Sequence, residues 1–134
     1  MTLLPTRRRL PEGRVAWSSE VRVRVVNLAD ASRCAEVDLV VDSGAIYSVV
    51  PAGVLRRIGV EPREVQTFDL AHGESVRRSV GDVRYEVADR SGAAPVIFGR
   101  RGDASLLGVV TLEALGLRLD PLRRRLRPLR LMIA

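Results

Sequence analysis

The sequence predicts an all-β, mainly antiparallel domain, a small barrel or sandwich with one or two short helices. Three observations lead there. Short stretches alternate apolar and polar residues with a period of two, as half-buried strands do. Glycine and polar turn signals separate them at intervals natural for β-proteins. Only two places carry a helical spacing of apolar residues, and both are short.

Residues 1–18 read as a flexible N-terminal extension, because Pro5, Pro11, Gly13 and the Arg7–Arg9 run break any period; the domain proper is expected over 19–134. Val21, Val23 and Val25 alternate with Arg22 and Arg24 as a first strand. After a polar turn over Asn27–Ser32, Cys34–Val41 forms a second. It becomes continuously apolar at Leu39, Val40 and Val41, as a strand buried on both faces does. Pro51–Gly59 predicts a short helix: proline suits its first turn, Val54, Leu55 and Ile58 share a face, and Gly59 stops it. Val65–Leu70 and Ser75–Val80 flank Ala71-His72-Gly73-Glu74 as a hairpin. Val83, Tyr85 and Val87 alternate again, Ser91-Gly92 reads as a turn, and Pro95–Phe98 as a short strand. Leu106-Leu107-Gly108 precedes a second helix around Thr111–Leu115, ended by Gly116. Leu117 and Leu119 then lead to Asp120-Pro121. Both Val40–Gly44 and Leu106–Gly108 read as an apolar strand and a glycine turn before a short helix, which suggests two similar halves packed face to face.

Composition narrows the chemistry. The chain has 134 residues, enough for one core. The single cysteine, Cys34, leaves no internal disulfide or cysteine-rich zinc site, and the single histidine, His72, leaves no histidine metal cluster or Ser-His-Asp triad. No cofactor is expected. No apolar run reaches the roughly 20 residues that span a bilayer, and the N-terminal charges follow the short apolar stretch, the wrong order for a secretory signal. A cytoplasmic protein without a membrane partner is the expectation. The net charge of +6 is unevenly placed: residues 1–14 and 121–134 hold nine arginines and one acid, whereas 15–120 hold thirteen arginines and fifteen acids. With a slightly acidic body and 4% aromatic residues, nucleic acid is not the expected partner.

Asp42 is the residue of chemical interest. A carboxylate at the end of a buried strand costs several kcal/mol unless it is hydrogen-bonded or paired. Gly44 lets the chain turn sharply and offer its N–H, and Ser43 adds a hydroxyl. On turn chemistry alone, Asp-Ser-Gly is equally an Asx-type turn that ends a strand.

The wider segment Val37–Pro51, with Val40-Val41-Asp42-Ser43-Gly44-Ala45 at its centre, resembles the active-site segment of the retropepsin-like (retroviral-type) aspartic proteases, and more the small bacterial members than the viral ones. Leu106-Leu107-Gly108 before a short helix is similar to that family's second signature. The hairpin at Ala71–Glu74 lies between them, where the family places its flap. The resemblance spans about Glu20–Pro128. It implies a small closed barrel and an aspartic endopeptidase without cofactor. Because the chain carries one Asp-Ser-Gly, it implies a homodimer with Asp42 from each subunit at the twofold axis. Ser43 and Gly44 would support the loop. Gly44, Ala45, Ala71, His72, Gly73 and Glu74 would bind an extended peptide. The apolar end Leu126–Ile133 would help knit the dimer. Two departures stand out: Val109 and Val110 replace the usual Arg and Asp/Asn after the second-signature glycine, and the hairpin tip has one glycine between His72 and Glu74. They motivate the alternative of a catalytically weak or inactive dimeric peptide-binding module. Outside the resemblance, His72 reads as a solvated turn residue, Cys34 as a small hydrophobe, and Tyr47 and Tyr85 as packing residues.

Overall fold

The computed structural model describes residues 4–9, 15–130 and 133, with side chains from Ser19 onward. It is mainly β, with ten strands and two one-turn helices among the described residues. The order is β1 (Leu4–Arg9), β2 (Val15–Val26), β3 (Cys34–Val41), β4 (Ser48–Pro51), α1 (Ala52–Arg57), β5 (Glu64–Asp69), β6 (Ser75–Val87), β7 (Arg90–Gly99), β8 (Leu106–Leu107), α2 (Val109–Ala114), β9 (Leu117–Asp120) and β10 (Arg125–Pro128).

Strands β2, β3, β8, β4, β7 and β6 lie side by side in that order, and β2 pairs back onto β6, closing the ring. Most pairings are antiparallel; β3–β8 and β4–β7 are parallel. The valines that alternate in β2 point inward: Val23 and Val25 are fully buried with Leu39, Val50, Val83, Val96 and Leu107. Closure removes the open edges that a curled sheet would otherwise expose. Two hairpins project from the ring. Residues 15–19 of β2 pair only with β1, and residues 75–79 of β6 pair only with β5.

The predicted strand at Cys34–Val41 matches β3, and both short helices stand where apolar spacing puts them. Gly59 and Gly116 end them with φ of +78° and +68°, a conformation that L side chains rarely adopt. Other elements differ from the sequence reading, each for a physical reason. Ser75–Val80 and Val83–Val87 form one strand, β6. Gly81 does not break it; a Cβ there would stand 3.0 Å from the Glu61 carbonyl oxygen. The turn expected at Ser91-Gly92 lies instead at Ala88-Asp89, with Ala88 at φ 53°. Gly92 is inside β7 because α2 presses on it: a Cβ would meet the Ala114 oxygen at 2.4 Å. Strand β4 went unread because it is four residues long and runs straight into the proline of α1.

At the termini, 4–9 and 15–20 pair as an antiparallel ribbon within the stretch read as an extension. Pro5 is tolerated there because β1 is an edge strand. At the other end, β10 folds back on β9 and carries Leu126 into the core at 1% exposure. The strand-like end expected over Leu126–Ile133 is a strand only to Pro128; Leu131, Met132 and Ala134 lie outside the described residues. Among the described residues no helix is long and apolar enough to cross a membrane.

Candidate active site

Asp42 follows the last residue of β3, at the point where the chain leaves the ring. Its own N–H is held by the Leu107 carbonyl of β8 at 3.1 Å. The Gly44 N–H donates to Asp42 Oδ1 at 2.8 Å, and the Ala45 N–H to the Asp42 carbonyl at 3.1 Å. The turn is thus an Asx turn in form, with its carboxylate half-buried and its Ser43-Gly44 crest exposed. A side chain at Gly44 would crowd the carboxylate, since a Cβ would stand 3.2 Å from Oδ1.

The residues that follow Gly108 brace this turn from behind. Val109 N–H donates to the Ala45 carbonyl at 2.8 Å, and Val110 N–H to the Ile46 carbonyl at 3.0 Å. Val109 and Val110 therefore hold the loop through their backbone. Gly108 must lack a side chain: a Cβ would lie 2.6 Å from the Tyr47 carbonyl carbon. Its N–H donates to Ser48 Oγ at 2.9 Å, and Ser48 Oγ shares a 2.6 Å hydrogen bond with Thr111 Oγ1. Both hydroxyls are fully buried, so each needs the other. Tyr85 is buried nearby and donates to the Pro95 carbonyl at 2.9 Å. Burial pushes its hydroxyl far up, and the Ser48 and Thr111 hydroxyls act in the opposite sense.

Arginine is abundant, yet among the described residues none holds Asp42. Asp38 pairs with Arg22, Asp82 with Arg63, Asp103 with Arg78, and Asp120 with Arg123 and Arg127. Among the described residues Asp42 has no cationic partner; its carboxylate is held by one backbone N–H.

Ala71, His72, Gly73 and Glu74 form the exposed tip of the β5–β6 hairpin, as expected. Leu70 N–H donates to the Glu74 carbonyl and Gly73 N–H to the Leu70 carbonyl, with Gly73 at φ +95°. No hydrogen bond among the described residues joins this tip to the Asp42 turn. The link runs through the stem, where Phe68 of β5 meets Tyr47 edge to face at 6.3 Å. Ser43 borders a groove lined by Val109, Leu112, Leu117, Leu119 and Leu129, with Glu113 and Arg118 also on its walls.

The sequence reading stopped at the hairpin tip and missed the stem. There, Val49, Phe68, Leu70, Val76, Ile97 and Leu106 surround a pocket of about 240 Å³, completed by Ala104 and the paired side chains of Arg78 and Asp103. The available signal was register: Phe68 stands directly opposite Val76 across the hairpin, so the apolar stripe continues past the ring.

The chain matches no protein-family model and no curated protein. Among solved structures it is similar to the solution structure of the Simian Foamy Virus (mac) protease. The TM-score is 0.49 and the identity 19%, over 70% of this chain and 91% of that one.

Proposed function

We propose that two copies of this chain form an aspartic endopeptidase with one active site, to which each contributes Asp42. The observation that carries this reading is the carboxylate itself. It sits at the end of a barrel strand, in a turn pinned on both flanks by Leu107, Val109 and Val110, with no cation among the described residues to neutralise it. The resemblance of Val37–Pro51 and Leu106–Gly108 to the retropepsin-like signatures supports the same reading.

One carboxylate is half of the chemistry. Peptide hydrolysis by this route needs one ionised carboxylate to take a proton from water and one protonated carboxyl to polarise the carbonyl. Two carboxyls in contact do not both ionise, so they share a proton and titrate as a unit. A twofold axis beside Asp42 supplies the second. The largely apolar groove beside Ser43, which also carries Glu113 and Arg118, is a surface close to that axis that a second copy would cover. The substrate lies extended between the Gly44-Ala45 turns and the 71–74 tips.

The test is cleavage of a mixed peptide library by the wild type and by Asp42→Asn, at mildly acidic and neutral pH. The wild type is expected to yield products. The substitution lowers turnover by roughly 10²–10⁴-fold or more, the usual range for losing an acid–base group, with the dimer intact by sedimentation. Undiminished cleavage by Asp42→Asn sinks the reading. Binding of peptides without cleavage by the wild type leaves the peptide-binding module instead.

A further inference from the structure

The hairpin β9–β10 gathers the charge that the sequence places at its C-terminal end. Residues 117–130 hold six arginines, Arg118, Arg123, Arg124, Arg125, Arg127 and Arg130, and one acid, Asp120. These arginines stand on a folded platform. Leu117 and Leu126 are buried in the core, and the Leu129 N–H donates to the Gly116 carbonyl at 2.8 Å. Across the ladder Leu126 is opposite Leu119, Arg125 opposite Asp120, and Arg127 opposite Arg118. Side chains alternate along a strand, so Arg118, Asp120, Arg125 and Arg127 share the face turned away from the core.

One carboxylate does not neutralise this face. Asp120 is buried beneath it. Its Oδ2 accepts from Arg123 Nη1 at 3.2 Å and from Arg127 Nη1 at 3.4 Å, and its Oδ1 from the Arg123 N–H at 3.2 Å. Among the described residues Arg118, Arg124, Arg125 and Arg130 have no acidic partner. Arg125 Nε is buried without a hydrogen-bond partner among them. Like charges directly opposite each other destabilise a ladder, and Arg118 and Arg127 stand so. An anion on this face relieves that repulsion. Arg118 also borders the groove beside Ser43, so the basic face starts next to the Asp42 turn.

We infer that the outer face of β9–β10 is a docking surface for an acidic, extended stretch of polypeptide, carried by the protein that the Asp42 site cleaves. The inference rests on the peptidase reading above for the partner's being a substrate, but not for the docking itself. Spacing favours such a stretch. Arg125 and Arg127 lie two residues apart on one strand, about 6.7 Å, and every second side chain of an extended peptide repeats at the same interval. A guanidinium takes a carboxylate in bidentate geometry, and arginine clusters are a recurrent means of recognising acidic segments. Nucleic acid fits less well, because residues 15–120 carry fifteen acids against thirteen arginines and aromatic residues are 4% of the chain. A lipid surface would find one exposed apolar side chain at the hairpin turn, Leu122. Because the core holds the hairpin, little order is lost when a partner binds.

The experiment measures binding of labelled peptides to the full-length Asp42→Asn protein by fluorescence anisotropy at low salt. The probes are a capped peptide alternating Glu and Ala and its Gln counterpart. A short DNA duplex and phosphatidylserine vesicles serve as competitors. The Glu peptide is expected to bind at least about tenfold more tightly than the Gln peptide. Arg124→Gly, Arg125→Gln and Arg130→Gln together should weaken the Glu peptide about tenfold, the combined scale of three exposed ion pairs. Arg56→Gln, Arg57→Gln and Arg101→Gln remove the same charge elsewhere and should change it by less than about twofold. Arg124→Gly alone, at a φ of 49° that glycine adopts freely, spares the fold and should weaken binding about twofold. Equal loss in the two triple variants overturns the docking surface, as does no loss in the first or equal binding of the Glu and Gln peptides. Displacement by the duplex or the vesicles at lower concentration than by unlabelled Glu peptide overturns the choice of partner. With the wild type, joining the Glu-Ala stretch to a peptide that it cuts should lower KM about tenfold and leave kcat unchanged; an unchanged KM overturns the assignment to substrate. Glu-dependent binding with no cleavage by the wild type upholds the docking surface and removes the peptidase.

Discussion

Arg78 and Asp103 tie the hairpin stem to the loop before β8, and their contribution depends on pH. The hydrogen bond from Arg78 holds the Asp103 carboxyl below its ordinary value of 3.8, against the opposing effect of burial, with the Arg100 N–H adding to the lowering. A depressed folded value means that the pair's stabilisation is complete above the unfolded value. It is lost as pH falls through the folded one. Asp103→Asn should therefore be less stable than the wild type at neutral pH, with the gap narrowing as pH drops below about 3.8. Urea unfolding at a series of pH values measures it; a gap that stays constant into strong acid contradicts the linkage. Asp42 differs in kind. Its composition-level signal, an acid ending an apolar run before Ser-Gly, was legible in the sequence because strand, turn and glycine are all local. The lack of a guanidinium beside it among the described residues was not, since most of the ion pairs that engage arginines elsewhere, such as Arg22–Glu36, Arg63–Asp82 and Arg78–Asp103, join residues 14 or more positions apart.

At the scale of elements, local pattern again separates what was legible from what was not. Strand β3 and both helices follow from periodicity and from glycines with positive φ. Gly81 and Gly92 mislead because they serve packing rather than turning, and the atoms that exclude a Cβ belong to residues 17 or more positions away. The internal echo is real in outline but displaced by one strand. In the run β3-β8-β4-β7 the order is symmetric, so β4 with α1 corresponds to β8 with α2, and the Asp42 turn corresponds to the 100–105 loop. Such interleaving places distant segments side by side, which periodicity cannot reveal. The hairpin β9–β10 carries a prediction of its own. Leu126 is 1% exposed in the core, so Leu126→Ala should cost about 2–5 kcal/mol by the usual transfer and cavity terms. Deleting 126–134 thus removes a core side chain together with any dimer contact, so its effect on a dimer is read against the stability of the shortened chain. Chemical denaturation of Leu126→Ala measures the cost, and a loss below about 1 kcal/mol contradicts the placement of β10.

For the whole molecule, the decisive property is that a single chain supplies a single Asp-Ser-Gly. Asp82, Asp103 and Asp120 are each held by an arginine, and no aspartate of the chain other than Asp42 is followed by Ser-Gly. If two Asp42 carboxyls share one proton, a dimer with one Asn has neither the full charge nor the shared proton and cannot divide the acid and base roles. Mixing subunits turns this into a number. When wild type and Asp42→Asn are unfolded together in equal amounts and refolded, random pairing leaves about one quarter of the dimers with two aspartates. Cleavage per total chain should fall to about one quarter of the wild-type value, and should follow the square of the wild-type fraction across a mixing series. A site complete within each chain gives a straight line and about one half at equal mixing. The curve separates the two arrangements without any knowledge of the natural substrate, since any peptide that the wild type cuts will serve. A linear response returns the second carboxylate to the chain itself. A quadratic one requires Asp42 of both copies at one axis.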